Sequence, residues 1–185
     1  MRKDHLILLV FLALIAISGG AIYVFRSPDT AVSQNAAPGE MDPRRELKAR
    51  IVRLEGQLAF DPNNLDIIIE LGNAHYDVEE PAKSVEYYEK ALTIKPDNPP
   101  VLVDCGAMYR ELGKPDKAIE LFKRAITVDP LFPQAYFNLG AVLRMEKGDR
   151  VGAAEAWEKY LELESNIDPQ IKSLLESEIK GASGS

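Results

Sequence analysis

The sequence predicts an all-α protein of short helix pairs stacked side by side, carried on a single membrane-spanning helix. Three observations predict it. Asp61-Pro62, Lys95-Pro96 and Asp129-Pro130 put successive prolines 34 residues apart, and Leu71-Gly72, Cys105-Gly106 and Leu139-Gly140 recur at the same interval. Leu6 to Phe25 runs 20 residues without a charge. A period of this length marks a repeated two-helix unit whose apolar sides leave water only when neighbours stack.

Residues 1–26 read as a signal anchor. At about 1.5 Å per residue the apolar run spans roughly 30 Å, the hydrocarbon thickness of a bilayer. The apolar region of a cleaved signal peptide is shorter, about 7–15 residues, which favours a retained transmembrane helix. Ala16, Ser18, Gly19 and Gly20 keep the alternative open, secretion after cleavage. Ala16 and Gly20 also form a small-xxx-small pair that suits contact with another membrane helix. Arg2 and Lys3 precede the span and only Arg26 follows closely, so the positive-inside rule makes this a single-pass protein with the rest on the non-cytoplasmic side. In a bacterium that is the periplasmic face of the inner membrane. Residues 27–42 contain Pro28, Asn35, Pro38 and Gly39 with no apolar period and read as a flexible linker.

Residues 43–62 form an N-terminal half-repeat. Leu47, Ile51, Leu54 and Leu58 recur at helical spacing, Asp42 suits the cap and Pro43 the first turn, and Asp61-Pro62 follows as in the later copies. Three units succeed it over 63–98, 99–132 and 133–167. Pro81 and Pro115 mark the starts of second helices, while Gly113 and Gly148 stand where first helices end. The first copy has Val78-Glu79-Glu80 in place of that glycine, and the third carries one extra residue near Gly148, which predicts a longer turn. Asp168-Pro169 then opens a capping helix with Ile171, Leu174, Leu175 and Ile179, and residues 168–185 close the chain as cap and tail.

The second copy reads Leu102, Cys105-Gly106, Tyr109, Ala118, Phe122, Ala125, Pro130. The first reads Ile68, Leu71-Gly72, His75, Ser84, Tyr88, Ala91, Pro96, and the third Tyr136, Leu139-Gly140, Leu143, Ala153, Trp157, Tyr160. This pattern resembles the tetratricopeptide repeat over about 100 residues. The resemblance implies a right-handed α-α superhelix of about three units. It also implies that Gly72, Gly106 and Gly140 sit where two helices nearly touch, with Tyr88 and Phe122 filling the wider gap. Tyr160 replaces the small residue of the other copies, Ala91 and Ala125, and implies a changed packing angle.

Net charge is −7, and without residues 1–26 there remain 19 basic against 28 acidic residues, or −9. That balance opposes a nucleic-acid partner, whose phosphates require clustered Lys and Arg. A single cysteine, Cys105, excludes an internal disulfide, a CxxC pair and a CxxCH haem site. It occupies an apolar repeat position and reads as a small core residue. His5 adjoins the membrane span and His75 takes the repeat's Tyr position, so a metal site on these two, the only histidines, would have to join the two ends of the linker. Neither GxxxxGK nor GxGxxG occurs, and the paired carboxylates Glu79-Glu80 and Glu162/Glu164 fall at a turn and on an exposed face. No catalytic, metal or cofactor site is predicted, and the protein reads as a non-enzyme.

Surface recognition remains. The resemblance implies that the second, fifth, ninth and twelfth residues of each first helix line a concave groove: Asp66, Ile69, Asn73 and Tyr76; Pro100, Val103, Ala107 and Arg110; Gln134, Phe137, Ala141 and Arg144. Apolar side chains beside Asn and Arg suit a peptide or protein segment, with Arg able to fork onto a carboxylate. The family's carboxylate clamp for chaperone tails matches only at Asn73. Ile69, Asp104, Gln134 and Asn138 stand at its other positions, so a chaperone co-factor role is not implied. The expectation is a membrane-anchored scaffold or adaptor. Two alternatives stay open: self-association into a homo-oligomer through exposed end repeats, and an accessory subunit of a c-type cytochrome maturation or secretion complex, the roles of bacterial proteins with a similar layout.

Overall fold

In the computed structural model, which describes residues 43–183, six of the eight α-helices open on a proline. Proline has no amide hydrogen to lose at a helix start, so it enforces the boundary without breaking the ladder. The expected membrane span over Leu6–Phe25 and the linker 27–42 lie outside the described residues. Among those described, no helix is long and apolar enough to cross a membrane, and there is no strand.

The helices are α1 (Pro43–Phe60), α2 (Leu65–Asp77), α3 (Pro81–Ile94), α4 (Pro99–Glu111), α5 (Pro115–Val128), α6 (Pro133–Val142), α7 (Arg150–Leu163) and α8 (Pro169–Ser183). Each packs on the next, and α4 also touches α6. The helix pairs α2/α3, α4/α5 and α6/α7 are the three repeats. Asn64 and Asn98, 34 residues apart, cap α2 and α4 by accepting from Ile67 N (3.2 Å) and Val101 N (3.5 Å). Phe132 stands at the third equivalent position and makes no side-chain cap.

The glycine of each first helix admits the aromatic ring of its second helix. A Cβ on Gly72 would lie 2.5 Å from Tyr88 Cε1, one on Gly106 would lie 2.5 Å from Phe122 Cε1, and one on Gly140 would overlap the Trp157 indole. Ala91 and Ala125 are buried further along the second helices. Ser84, buried where the other copies have alanine, donates its hydroxyl to the Gly72 carbonyl at 2.9 Å, so its polarity is satisfied inside the contact. Cys105 is fully buried, and burial pushes its thiol up to about 12. At neutral pH it stays protonated and acts as a small apolar residue.

Both ends are covered. Ile51 and Leu54 of α1 lie on Leu71 and Ala74 of α2, and α8 lays a fully buried Leu175 against the last repeat's side of the core.

The third turn differs from the expectation. The extra residue does not lengthen the loop at Gly148. It is taken up before it, in a π-helical turn over Leu143–Lys147. The amide of Asp149 donates to Leu143 O, six residues back, whereas Glu80 N reaches His75 O and Lys114 N reaches Tyr109 O, five back. Widening the helix keeps Gly148 in the left-handed conformation (φ 69°) and leaves Asp149 free to cap α7 through Gly152 N at 2.9 Å. In the first unit Glu79 takes that left-handed position, at φ 62°, without being glycine.

These two kinds of position respond in opposite directions. Gly106→Ala drives a methyl into Phe122 and lowers stability by about 1–3 kcal/mol, partly restored by adding Phe122→Leu. Glu79→Gly relieves a left-handed side chain and raises stability by about 1 kcal/mol. Urea unfolding followed by circular dichroism measures both. A neutral Gly106→Ala contradicts the contact.

Candidate functional site

On the first helices, the residues expected to line a groove are spread between surface and core. Asp66 and Pro100 are exposed; Ile69, Asn73, Tyr76, Ala107, Arg110, Gln134, Phe137 and Arg144 are half-buried; Val103 and Ala141 are buried, at 6% and 2% exposure. What remains accessible is a mixed strip of Ile69, Asn73, Ala107, Phe137 and the polar groups beside them.

Those polar groups are held by the second helices. Tyr88 passes its ring over Gly72 and donates its hydroxyl to Asn73 Oδ1 at 2.7 Å. The Trp157 indole does the same for the third unit, donating Nε1–H to the Phe137 carbonyl at 3.2 Å. The Phe137 ring lies 5.1 Å from that of Tyr160, tilted by 53°. Tyr160 therefore supports the groove residue from behind, using the place that Ala91 and Ala125 leave small. Asn138 donates Nδ2–H to the Gln134 carbonyl at 2.8 Å.

Both groove arginines are engaged within the chain. Arg110 Nε pairs with Glu146 at 2.6 Å, and Arg144 Nε with Glu178 of α8 at 2.6 Å. Each bond joins one first helix to the following unit. Lys147 reaches Asp116 at 2.7 Å on the same side of the third turn. Opposite charges 34 to 36 residues apart were a signal the periodic sequence carried, but the repeat signature alone does not name them.

Asp104 is the group that sequence reading placed only as a mismatch. It is half-buried on α4 beside Val103, and burial pushes its carboxyl up to about 6, with no cation or donor offsetting it. Its charge adds to burial in raising the Tyr88 hydroxyl.

His75 is buried, pairs through Nδ1 with Glu80 Oε2 at 2.9 Å and stacks on Tyr87 at 5.3 Å. The Lys83 ammonium, then His75, holds Glu80 below the ordinary carboxylate range. This cluster joins the first turn to α3 and is separate from the strip. Among the described residues, no group of three or more His, Cys, Asp or Glu is placed to hold a metal ion.

The sign of the Asp104 effect is testable. Its folded pKa lies above the ordinary 3.8, so the folded state binds the proton more tightly. The group's contribution to stability is greatest below the unfolded value and falls as pH rises through about 6. Asp104→Asn raises stability at pH 7.5 by on the order of 1–3 kcal/mol, and the gain disappears near pH 4. An equal gain at both pH values contradicts a desolvated carboxylate.

Residues 65–98 match the family model described as tetratricopeptide repeat, and residues 106–145 match a second described as TPR repeat. No curated protein sequence matches significantly. Among solved structures, MamA superposes with a TM-score of 0.66 at 22% identity, over 76% of this chain and 74% of that one. The first TPR of Spaghetti (RPAP3), bound to the HSP90 peptide SRMEEVD, gives 0.58 at 23% identity over 65% and 96%. The Sgt2 TPR domain from Aspergillus fumigatus gives 0.56 at 32% identity over 64% and 76%. With the repeat signature, the glycine–aromatic contacts and these matches in agreement, the chain belongs to the tetratricopeptide-repeat family.

Proposed function

We propose that this protein is a non-enzymatic adaptor that holds a segment of another protein along the first helices α2, α4 and α6, and that Leu6–Phe25 anchors it in a membrane with the repeats on the non-cytoplasmic side. The observation that carries the binding reading is the strip itself. Ile69 and Phe137 stay half-exposed at equivalent positions although the second helices and both end helices are already packed. Apolar side chains left at the surface among fixed hydrogen-bonding groups favour a segment that brings its own apolar side chains. The peptide seated on the related RPAP3 domain supports the use of this fold for such a guest. Its acidic tail is not the guest expected here, because Ile69, Gln134 and Asn138 stand where a carboxylate clamp has cations and Asp104 where it has an amide donor.

The anchor reading rests on the uncharged run of Leu6–Phe25 and on Arg2 and Lys3 before it. A homo-oligomer is the second reading, favoured by Phe60 and Val52, which are 93% and 69% exposed on the end helix α1.

A photoreactive residue at position 137 in native membranes captures a discrete partner, identified by mass spectrometry, while the same residue at exposed position 120 on α5 does not. Ile69→Glu abolishes the adduct without changing helicity. Equal capture at both positions, or an adduct indifferent to Ile69→Glu, removes the groove reading; an adduct made only of this chain replaces it with self-association. The full chain stays in the membrane pellet after alkaline carbonate extraction, and a chain lacking residues 1–26 is released. Release of the full chain removes the anchor.

A further inference from the structure

The first helix, α1, is opposite in charge to the repeats it covers. It holds Arg44, Arg45, Lys48, Arg50 and Arg53 against Glu46 and Glu55, a net +3, whereas residues 61–185 hold 14 basic and 23 acidic residues, a net −9. Helix starts favour acidic side chains, because the helix dipole is positive there. Two arginines in the first turn of α1 therefore oppose its own stability, and an anion outside the helix offsets them.

The five cations fall into two groups. Arg44 and Arg50 turn back onto the first repeat, pairing with Glu79 at 3.3 Å and with Glu70 at 3.4 Å. Arg45, Lys48 and Arg53 are exposed and form no ion pair among the described residues. They share their side of the helix with apolar groups. Leu47, Ile51, Leu54 and Leu58 make the inward row, and the same spacing shifted by two residues makes the opposite row of Arg45, Ala49, Val52 and Gly56, all exposed. Phe60 continues that row by one turn; it is 93% exposed and Val52 69%. A helix side that mixes apolar residues with Lys and Arg suits the surface of an anionic bilayer, where the apolar groups enter the acyl boundary and the cations meet phosphate.

We propose that this side of α1 docks on the anionic headgroups of the membrane that holds Leu6–Phe25. This rests on the anchor reading above and adds the surface by which the repeats are set on the lipid. Residues 26–42, 17 in number, reach no more than about 60 Å at full extension, so a bilayer entered by the apolar run stays within reach of α1. A tethered surface meets its partner intramolecularly, at an effective concentration that a free one lacks, and a modest contact then suffices. A second copy also offers acidic groups, but no tether holds it at that distance. The net −9 of the remaining residues is repelled by the same headgroups, so the charge asymmetry favours an approach with α1 foremost.

The test is fluorescence quenching on the full chain reconstituted into vesicles of brominated phosphatidylcholine, with or without phosphatidylglycerol. A bimane label is placed on Gly56→Cys, where a Cβ meets nothing within 4 Å; Cys105 is buried and escapes labelling. The label is quenched in vesicles containing phosphatidylglycerol, less so without it and less so in high salt, while the same label on exposed Glu120→Cys of α5 is not. Adding R45Q, K48Q and R53Q together lowers the docked-to-free ratio by on the order of 100-fold, about fivefold for each charge, with circular dichroism verifying the fold. Quenching at position 56 no greater than at 120, indifferent to phosphatidylglycerol or unmoved by the triple substitution overturns the inference, and a chain that still resists carbonate extraction keeps its anchor. Shielding of the label from aqueous iodide that grows with protein density, without quenching by bromine, gives this side to a second copy and overturns the inference as well. A full chain that carbonate extracts overturns the anchor reading and this inference together.

Discussion

The fold depends on one contact made three times: an aromatic ring of the second helix lying in the gap that a glycine leaves on the first. With Tyr88 over Gly72, Phe122 over Gly106 and the Trp157 indole over Gly140, a methyl group at any of the three would displace a ring. The contact brings two helix backbones close, and that closeness sets where every other side chain lands. It lets the Ser84 hydroxyl reach the Gly72 carbonyl and the Tyr88 hydroxyl reach Asn73. It also directs the Trp157 N–H to the Phe137 carbonyl. Residues that build the core thus also fix the polar groups of the exposed strip.

Repetition then supplies size. No single pair encloses its own apolar surface, so α1 and α8 are needed at the two ends, with Ile51, Leu54 and Leu175 buried there. The ion pairs Arg110–Glu146 and Arg144–Glu178 tie successive units together. Partly exposed pairs of this kind add little stability; their larger effect is on the polarity of the surface. They remove two cations from recognition and leave Asp104 as a desolvated charge on α4.

Much of this was legible before any coordinates, and the reasons are particular. Pro81, Pro115 and Gly113 are residues whose backbone restrictions act locally, so helix boundaries followed from them directly. The repeat signature placed Gly72, Gly106, Tyr88 and Phe122 at the contact between paired helices, but that each ring lies in the gap of its glycine depends on the helix–helix distance, which a spacing does not contain. Glu79 was opaque, since its left-handed conformation is imposed by the flanking helices and not by its own side chain. The inserted residue of the third unit was visible as a count, but a helix can hide an extra residue as a π turn as readily as a loop can. The strip was harder to foresee. Position numbers place Val103 and Ala141 on the same line as Ile69 and Phe137, yet neighbouring helices bury the first two. Whether Arg110 and Arg144 point to a guest or to Glu146 and Glu178 depends on distances between units, which periodicity does not contain.

The central claim is that the first helices form a recognition wall held in place from behind by the second. Hydrogen–deuterium exchange on the purified crosslinked adduct, compared with the free chain, tests it most directly. The account predicts added protection along α2, α4 and α6 at the turns bearing Ile69, Asp104 and Phe137, with α3, α5 and α7 unchanged. Protection confined to α3, α5 and α7, or to the ends α1 and α8, would contradict it.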